Sequence, residues 1–320
     1  MPPCPAPTGT ASFSELRVSG PFRGLILCYE AGEHERQMLP PFCALLSLSF
    51  LALALAACES TSNVDLESRN FNVQQTSVPP GEAVASTEQI TSLVRRSGPT
   101  YVTLIVSQPA SADTVSKETR KGTPVTSGSG FVVDGSGYVM TAAHVAKRVG
   151  NTVSAKAANG RVYSGDVIAL NPGNDMAVIR LRGFSGKAVT PADNQCLAKG
   201  NIVYSLGRPH AQGDTARLGE FESASFGQAV KYAGDDSKFG YPDAMVLRLS
   251  TQKGESGGPL FNAKGDLVGM VVSTLYDNTG QPLNLAHAVP SRTLAGFLCS
   301  NSQCSAQWRA IAAGNGGCQS

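Results

Sequence analysis

The chain has 320 residues, of which 16% are charged, and its formal net charge is +2 at pH 7. A balance this close to neutral, without a long basic run, argues against a nucleic-acid-binding surface. Beyond the N-terminal segments described next, roughly 225 residues remain, a length that fits one domain with a substantial core.

An uncharged apolar run lies near the N-terminus, over residues 42–57. It is short for a membrane-spanning helix but has the length of a signal-peptide core. We therefore expect residues 1–57 to be an export region. Mixed charges precede the apolar run, so the true start of translation stays open.

The apolar run closes on LAAC at residues 55–58, which resembles the lipobox of bacterial lipoproteins. The resemblance implies that Cys58 is lipidated and that acyl chains hold the protein on a lipid bilayer. We expect a place in the bacterial cell envelope, facing the periplasm or the exterior. An ordinary signal peptide, or a short membrane anchor that happens to end in cysteine, is the alternative.

The stretch after the apolar run has a different composition. Residues 58–92 are rich in Ser, Thr, Asn, Gln and Pro and contain few large apolar side chains. Such a segment buries too little apolar surface to become ordered, so the sequence predicts a disordered tether. The folded domain is then expected over residues 93–298, followed by a cysteine-containing tail over residues 299–320.

The first candidate for chemistry is His144. It follows two apolar stretches joined by an Asp-Gly-Ser-Gly turn at residues 134–137, a pattern that predicts a hairpin with the histidine after its second strand. Further along, Asp175 opens a short apolar strand directly after a turn-forming cluster. A histidine base needs an anion to hold its tautomer, and this carboxylate suits that role.

A glycine-rich motif, GESGGP at residues 254–259, contains Ser256. A serine hydroxyl becomes a good nucleophile when a base removes its proton, so Ser256, His144 and Asp175 form a candidate catalytic set. Gly254 and Gly257 permit a tight backbone path with inward N–H groups. The amides of Gly254 and Ser256 are therefore predicted to form an oxyanion hole.

Two other interpretations of this motif stay open. Gly-x-Ser-x-Gly also occurs at the nucleophile turn of α/β-hydrolases, which would make the protein an esterase or lipase lipoprotein. That fold places its acid and histidine after the serine and alternates strands with helices, whereas this sequence favours short strands. The second interpretation is a structural serine in a chance glycine-rich turn.

The order of His144, Asp175 and Ser256, with these flanking residues, resembles the chymotrypsin-like (trypsin-fold) serine proteases and, among them, the bacterial HtrA/Deg branch. Four further stretches support the resemblance in family order. They are GSGFV at 128–132, DMAVI at 175–179, SLGRP at 205–209 and AHAVPS at 286–291.

The resemblance implies an all-β fold of two barrels with a short C-terminal helix at residues 292–298. It implies a serine endopeptidase that acts on protein or peptide substrates of the envelope or exterior through an acyl-enzyme, with no cofactor and no metal. The PDZ domain that normally follows the protease unit in this branch has no counterpart after Ser291, so we expect a protein that lacks it.

Glu255 departs from the family pattern, because the HtrA/Deg branch usually carries Asn at this position and trypsins carry Asp. The longer side chain must find room beside the oxyanion loop. A third function therefore stays open, in which the protein is a catalytically weak binding or chaperone-like module on a protease fold.

By resemblance, the primary substrate pocket is expected to be formed by Ser250, Thr251, Val272, Ser273 and His287. Ser250 stands where trypsins use an acid, so cleavage after Lys or Arg is not expected, and a small or aliphatic residue fits better. His287 could favour an acidic side chain at the pocket floor, but a histidine at the edge of the core is the simpler interpretation.

Four cysteines lie beyond the export region and Cys58, namely Cys196, Cys299, Cys304 and Cys318. Four cysteines allow three pairings. We favour Cys299 with Cys304, which closes a small loop, and Cys196 with Cys318, which ties the tail to the region between the barrels. No Cys-x-x-Cys spacing accompanies them, so a zinc site is not expected.

Overall fold

Short β-strands build most of the structure, a computed structural model that describes residues 61–66, 69–75, 87–109, 122–276, 279 and 281–316. All of these residues fall in one unit, Cys58–Ser320. The strands are rich in Val, Ile and Leu, whose side chains favour a pleated, half-buried backbone. The predicted export region and the lipidated Cys58 lie outside the described residues and stay predictions.

The elements are numbered in chain order. The strands are β1 (Thr61–Leu66), β2 (Arg69–Gln75), β3 (Tyr101–Gln108), β4 (Thr123–Asp134), β5 (Tyr138–Thr141), β6 (Thr152–Ala157), β7 (Val162–Asn171), β8 (Met176–Leu181), β9 (Ile202–Gly207), β10 (Asp214–Ser223), β11 (Val230–Lys231), β12 (Gly240–Tyr241), β13 (Met245–Arg248), β14 (Pro259–Asn262), β15 (Leu267–Tyr276) and β16 (Pro282–Pro290). The helices are α1 (Thr87–Ser97), α2 (Ala143–Ala146), α3 (Ser291–Ser300) and α4 (Ala306–Ala312).

The first barrel has the strand order β3-β4-β5-β8-β7-β6 and closes where β6 pairs with β3. Buried and partly exposed residues alternate along β6, as expected for a strand with one face toward a core. Leu104, Val132 and Ile179 are fully buried in this part of the molecule. The hairpin of β4 and β5 is the one predicted to precede His144.

The second barrel has the order β10-β13-β16-β15-β14-β9, and the pairing of β9 with β10 closes it. Leu247, Val271 and Ala288 belong to a buried cluster contributed by these strands. Two closed six-stranded barrels followed by helix α3 confirm the predicted all-β, two-barrel fold with a short C-terminal helix.

The prediction of a disordered tether over residues 58–92 is wrong for the described part of that segment. Strand β2 pairs in parallel with β10, and its residues Arg69, Phe71 and Val73 are buried. Helix α1 also begins inside the predicted tether. The composition of the segment predicted disorder because it averages over all of its residues. Alternation of apolar and polar residues along the seven residues of β2 is enough to bury one face of that strand.

The tail after residue 298 is also structured. Trp308 in α4 is buried, and its indole N–H donates to the carbonyl of Val133 at 3.2 Å, which fastens the tail to the first barrel. Cys299 and Cys304 form the predicted disulfide between α3 and α4. Cys196 is disulfide-bonded as well, but Cys318, the partner that we predict for it, lies outside the described residues.

Across the described ranges, helices are too short or too polar to span a lipid bilayer.

Candidate active site

His144 and Asp175, two of the candidate catalytic residues, contact each other in the first barrel. Nδ1 of His144 lies 2.8 Å from Oδ2 of Asp175, and the backbone N–H of His144 donates to Oδ1 at 2.8 Å. Asp175 is fully buried, so protein donors rather than water hold its carboxylate. The imidazole is therefore oriented with Nδ1 toward the carboxylate, which leaves Nε2 for a different partner.

The turn before β8 positions Asp175. The backbone of Asp175 has a φ of +48°, in the left-handed region that non-glycine residues rarely adopt. The Asn171 side chain closes the turn by accepting from the N–H of Asn174 at 3.1 Å, and the Asp175 carbonyl accepts from Ala143 at 3.1 Å. These bonds hold a conformation that costs of order 1 kcal/mol by itself.

Tyr232, which the sequence did not single out, also contacts Asp175. Its hydroxyl donates to Oδ2 at 2.8 Å and lies 3.1 Å from the carbonyl oxygen of Val272. Its ring packs on the His144 imidazole with centroids 4.7 Å apart. Burial, together with the Asp175 carboxylate, raises the pKa of Tyr232, so the phenol keeps its proton and donates. Tyr232 therefore helps to hold the carboxylate against the imidazole.

The turn that carries Ser256 depends on its glycines. Gly254 has a φ of +101° and Gly257 a φ of +83°. A Cβ on Gly254 would lie 2.4 Å from the carbonyl oxygen of Arg208, and one on Gly257 would lie 2.2 Å from Oγ1 of Thr141. Only glycine fits both the conformation and the space, as the predicted tight path requires.

Contacts between the barrels place this turn beside His144. The carbonyl of Ser256 accepts from the backbone N–H of Ser129 at 3.0 Å, and the Ser129 hydroxyl donates to the carbonyl of Gly254 at 2.9 Å. Ser129 belongs to β4 of the first barrel. As a result, Ser256 and His144 line one cleft of about 780 Å³.

The Ser256 hydroxyl donates to the carbonyl of Val272 at 3.2 Å, and within the described ranges no hydrogen bond joins it to His144. Proton transfer to the imidazole therefore requires the hydroxyl to exchange its bond with Val272 for one with His144. The backbone N–H groups of Gly254 and Ser256 donate to no acceptor among the residues described. Both remain available to a substrate oxygen.

Glu255 has the room that its longer side chain needs. A Cβ on Gly207 would lie 2.8 Å from Cβ and Cγ of Glu255, so the glycine makes the space. The carboxylate accepts from the backbone N–H of Gln252 at 2.6 Å, which closes the loop onto its own side chain. Glu255, the residue that departs from the family pattern, therefore stabilises the loop that contains the predicted oxyanion hole.

Arg217 supplies the charge that balances Glu255. Its Nε lies 2.6 Å and 2.9 Å from the two carboxylate oxygens, and both side chains are at least 96% buried. Burial raises the pKa of the Glu255 carboxyl, while Arg217 acts in the opposite direction. Arg217 also donates through Nη1 to the side chain of Gln74 in β2, its register partner. The N-terminal strand is therefore connected to the candidate catalytic loop.

The cleft contains four of the five predicted pocket residues. Thr251, Val272, Ser273 and His287 line it, whereas Ser250 is not among the lining residues. The other wall comes from the segment between β10 and β12, including Phe226 and Tyr232, where the sequence analysis identified no motif. The described residues contain no cluster of side chains suited to hold a metal ion.

Several known proteins are similar in sequence to this domain. The family described as trypsin-like peptidase domain matches residues 128–270. A probable periplasmic serine endoprotease, DegP-like, of Brucella suis is 30% identical over 173 residues, which cover 53% of this chain and 32% of that protein. The putative serine protease HhoB of Synechocystis is 29% identical over 170 residues, 52% of this chain and 38% of that protein. The chain spans about a third of the length of the curated relatives it matches.

Solved structures share the fold. The HtrA-type protease AlgW with a tripeptide superposes with a TM-score of 0.52 at 19% identity, covering 70% of this chain and 64% of that chain. A form of the same protease with a decapeptide gives a TM-score of 0.51, covering 67% of this chain and 68% of that chain.

Residues 128–270 therefore match the trypsin-like peptidase domain, and the described strands form the two-barrel fold that the HtrA-type protease structures share. In sequence, the chain is similar to the DegP-like and HhoB proteases, in agreement with the resemblance that the motifs indicate.

Proposed function

We propose that the protein is a serine endopeptidase that hydrolyses peptide bonds of envelope or extracellular proteins. The observation that carries the proposal is that His144 and Ser256 line one cleft beside two available backbone donors, with Asp175 buried against the imidazole. In this proposal Ser256 is the nucleophile, His144 the base and acid, and Asp175 the group that orients the imidazole.

The reaction begins when the Ser256 hydroxyl rotates from Val272 toward Nε2 of His144. Its oxygen attacks the scissile carbonyl carbon while the proton passes to Nε2. The negative oxygen of the tetrahedral intermediate is then held by the N–H groups of Gly254 and Ser256, where each such donor is worth about 10²–10³ in rate. Collapse breaks the C–N bond, and the amine leaves with the proton from His144.

Water completes the cycle. His144 removes a proton from a water molecule that attacks the acyl-enzyme, and it returns that proton to Ser256 as the acid product leaves. The Asp175 carboxylate stabilises the imidazolium in both halves of the reaction, with Tyr232 donating to the same carboxylate. Every proton in this sequence moves among groups of the chain, substrate and water, so the chemistry needs no cofactor.

We also propose an envelope location. The names of the DegP-like relatives include the word periplasmic, and the predicted export region agrees with it. Lipidation at Cys58 would then place the protease on a bilayer. Protein or peptide substrates are supported by the tripeptide and decapeptide that the structural neighbours hold.

A binding or chaperone-like module is the second candidate, because the Ser256 hydroxyl points to Val272 rather than to His144. The esterase alternative loses its basis, since two closed barrels replace the strand–helix alternation of an α/β-hydrolase.

The test compares peptide-bond with ester cleavage by the intact protein. Unfolded casein and a long-chain nitrophenyl ester are incubated with the protein in the presence of a chelator. We expect casein to be cut into peptides and the ester to be turned over poorly. Ester turnover without casein cleavage would favour the esterase. A folded protein that cuts neither, yet suppresses casein aggregation, would favour the chaperone-like module.

A further inference from the structure

His287 lies on β16 with its side chain on the cleft side of the second barrel. Its neighbours Ala286 and Ala288 are fully buried in the cluster inside that barrel. Because successive side chains of a strand point to opposite faces, His287 points outward, where it lines the same cleft as Ser256. It is nevertheless only 4% exposed. An imidazole is thus buried in the wall of the proposed substrate pocket.

Two hydroxyls fix one side of this imidazole. Nδ1 of His287 lies 3.0 Å from Oγ of Ser273 and 3.1 Å from the hydroxyl of Tyr241, and these two hydroxyls lie 2.6 Å from each other. Both hydroxyl protons are used only if one hydroxyl donates to the other and the second donates to Nδ1. If Nδ1 carried the proton, one hydroxyl proton would lose its acceptor within this cluster, which is costly for a buried donor.

Within this cluster, the arrangement favours the neutral tautomer that carries its proton on Nε2. That atom is buried, and in the part of the chain that the structure describes it has no hydrogen-bond partner. Phe226 packs edge-on against the ring, with centroids 4.5 Å apart, so its side chain must move aside before a substrate group can reach the buried Nε2. Nε2 is a donor that the protein itself leaves unsatisfied, on the wall of a substrate cleft.

The ring is uncharged at neutral pH. Burial lowers the pKa of His287 to about 4, although the carboxylate of Asp243 acts in the opposite direction. Asp243 is the charged group that acts on the ring, and its carboxylate is engaged by the backbone N–H groups of Phe226 and Ala244. The other group facing the ring that can titrate is Tyr241, whose pKa burial raises, so the phenol stays neutral.

We propose that His287 selects substrates with glutamine on the acyl side of the scissile bond, because Nε2–H of the imidazole donates to the side-chain carbonyl. The inference rests on the proposed endopeptidase function. An aliphatic side chain would leave Nε2–H without a partner, and a carboxylate would lose its hydration in exchange for a neutral donor. This inference replaces the sequence-based expectation of a small or aliphatic residue.

The test uses a set of chromogenic peptides that differ only in the residue before the cleaved bond: Gln, Glu, Leu or Lys. For the intact protein at neutral pH, we expect kcat/KM for Gln to exceed that for Leu by about 10–10²-fold, the factor that one unsatisfied buried donor is worth. Lowering the pH should raise the Glu rate relative to the Gln rate. The ratio of the two rates cancels any effect of pH on the catalytic steps that both substrates share.

Two variants assign the preference to the imidazole. His287→Leu should reverse the order of Gln and Leu, and His287→Gln, which keeps a neutral donor, should restore part of the Gln preference. Melting curves confirm that each variant is folded. Intact protein that cuts the Leu peptide faster than the Gln peptide, or a His287→Leu variant with an unchanged ratio, would overturn the inference alone. If the intact protein cleaves no peptide and no casein, the proposed function itself fails.

Discussion

Replacing Ser256 with alanine is expected to lower kcat for casein or peptide cleavage by about 10⁶-fold, because acyl transfer loses its nucleophile. Alanine is smaller than serine, and among the described residues the Ser256 hydroxyl makes one hydrogen bond, to Val272, so the fold should stay intact. His144→Ala should cost a similar factor, since the hydroxyl is weak without its base. The pair acts as a unit, and the double variant should be no worse than either single variant.

Initial rates at saturating substrate check this prediction. Ser300→Ala is the matched control, because the Ser300 hydroxyl is exposed on α3 and, within the described ranges, donates to Gly296 alone, away from the cleft. Its kcat should be unchanged. The triad assignment is contradicted if folded Ser256→Ala keeps more than about a hundredth of the activity, or if the two single losses multiply in the double variant.

Replacing Arg217 with methionine should destabilise the protein by about 3–5 kcal/mol, because it leaves the buried Glu255 carboxylate without its cation. For a domain of this size, that corresponds to a fall in Tm of roughly 6–20 °C. Glu255 also holds the N–H of Gln252, so loosening it should disturb the turn that presents Gly254 and Ser256. We expect kcat to fall with KM less affected, since the oxyanion donors act in the transition state.

A second change should undo most of this damage. Arg217→Met with Glu255→Gln leaves no buried charge, and the amide oxygen can still accept from Gln252. The control is Arg182→Met, which breaks the exposed ion pair with Asp166 and should cost no more than about 1 kcal/mol. If Arg217→Met lowers Tm no more than Arg182→Met does, the buried ion pair of Arg217 and Glu255 does not stabilise the loop.

The destabilisation by Arg217→Met should also depend on pH. Burial already raises the pKa of Glu255, and removing the arginine removes the opposing influence. A carboxyl whose pKa is higher in the folded state binds its proton more tightly there, so folding is favoured at low pH and weakened as the pH rises through the folded pKa. The gap in Tm between Arg217→Met and the parent should therefore narrow toward acidic pH, where Glu255 becomes neutral.

The resemblance to the trypsin-fold proteases implied the two barrels, and local patterns in the sequence placed His144 and Asp175 beside turns and strands. Each of these two residues lies next to a turn and a short apolar strand. The turn and the strand that mark each residue lie within about a dozen positions of it, so they can be found in the sequence. The glycines around Ser256 were predictable for the same reason, because their conformational role belongs to the turn itself.

Tyr232 and Arg217 could not be found in this way. Tyr232 lies 57 positions from Asp175 and Arg217 lies 38 positions from Glu255, each in a segment without a catalytic motif. The contacts of Tyr232 with Asp175 and of Arg217 with Glu255 form only when the chain folds and the second barrel brings β10 next to the loop of Glu255. Strand β2 was not predicted because the residues around it are polar and only one face of the strand is buried. The cation for Glu255 and the donor for Asp175 are therefore properties of the tertiary structure.

The most direct test of the catalytic arrangement is labelling of the folded protein with a fluorophosphonate, followed by peptide mapping. A hydroxyl reacts with this probe when a base takes its proton and donors stabilise the developing charge. We predict one adduct per chain, on Ser256, and a strongly reduced labelling rate in His144→Ala. Folded protein that remains unlabelled, or an adduct on another residue with Ser256 unmodified, would contradict the arrangement.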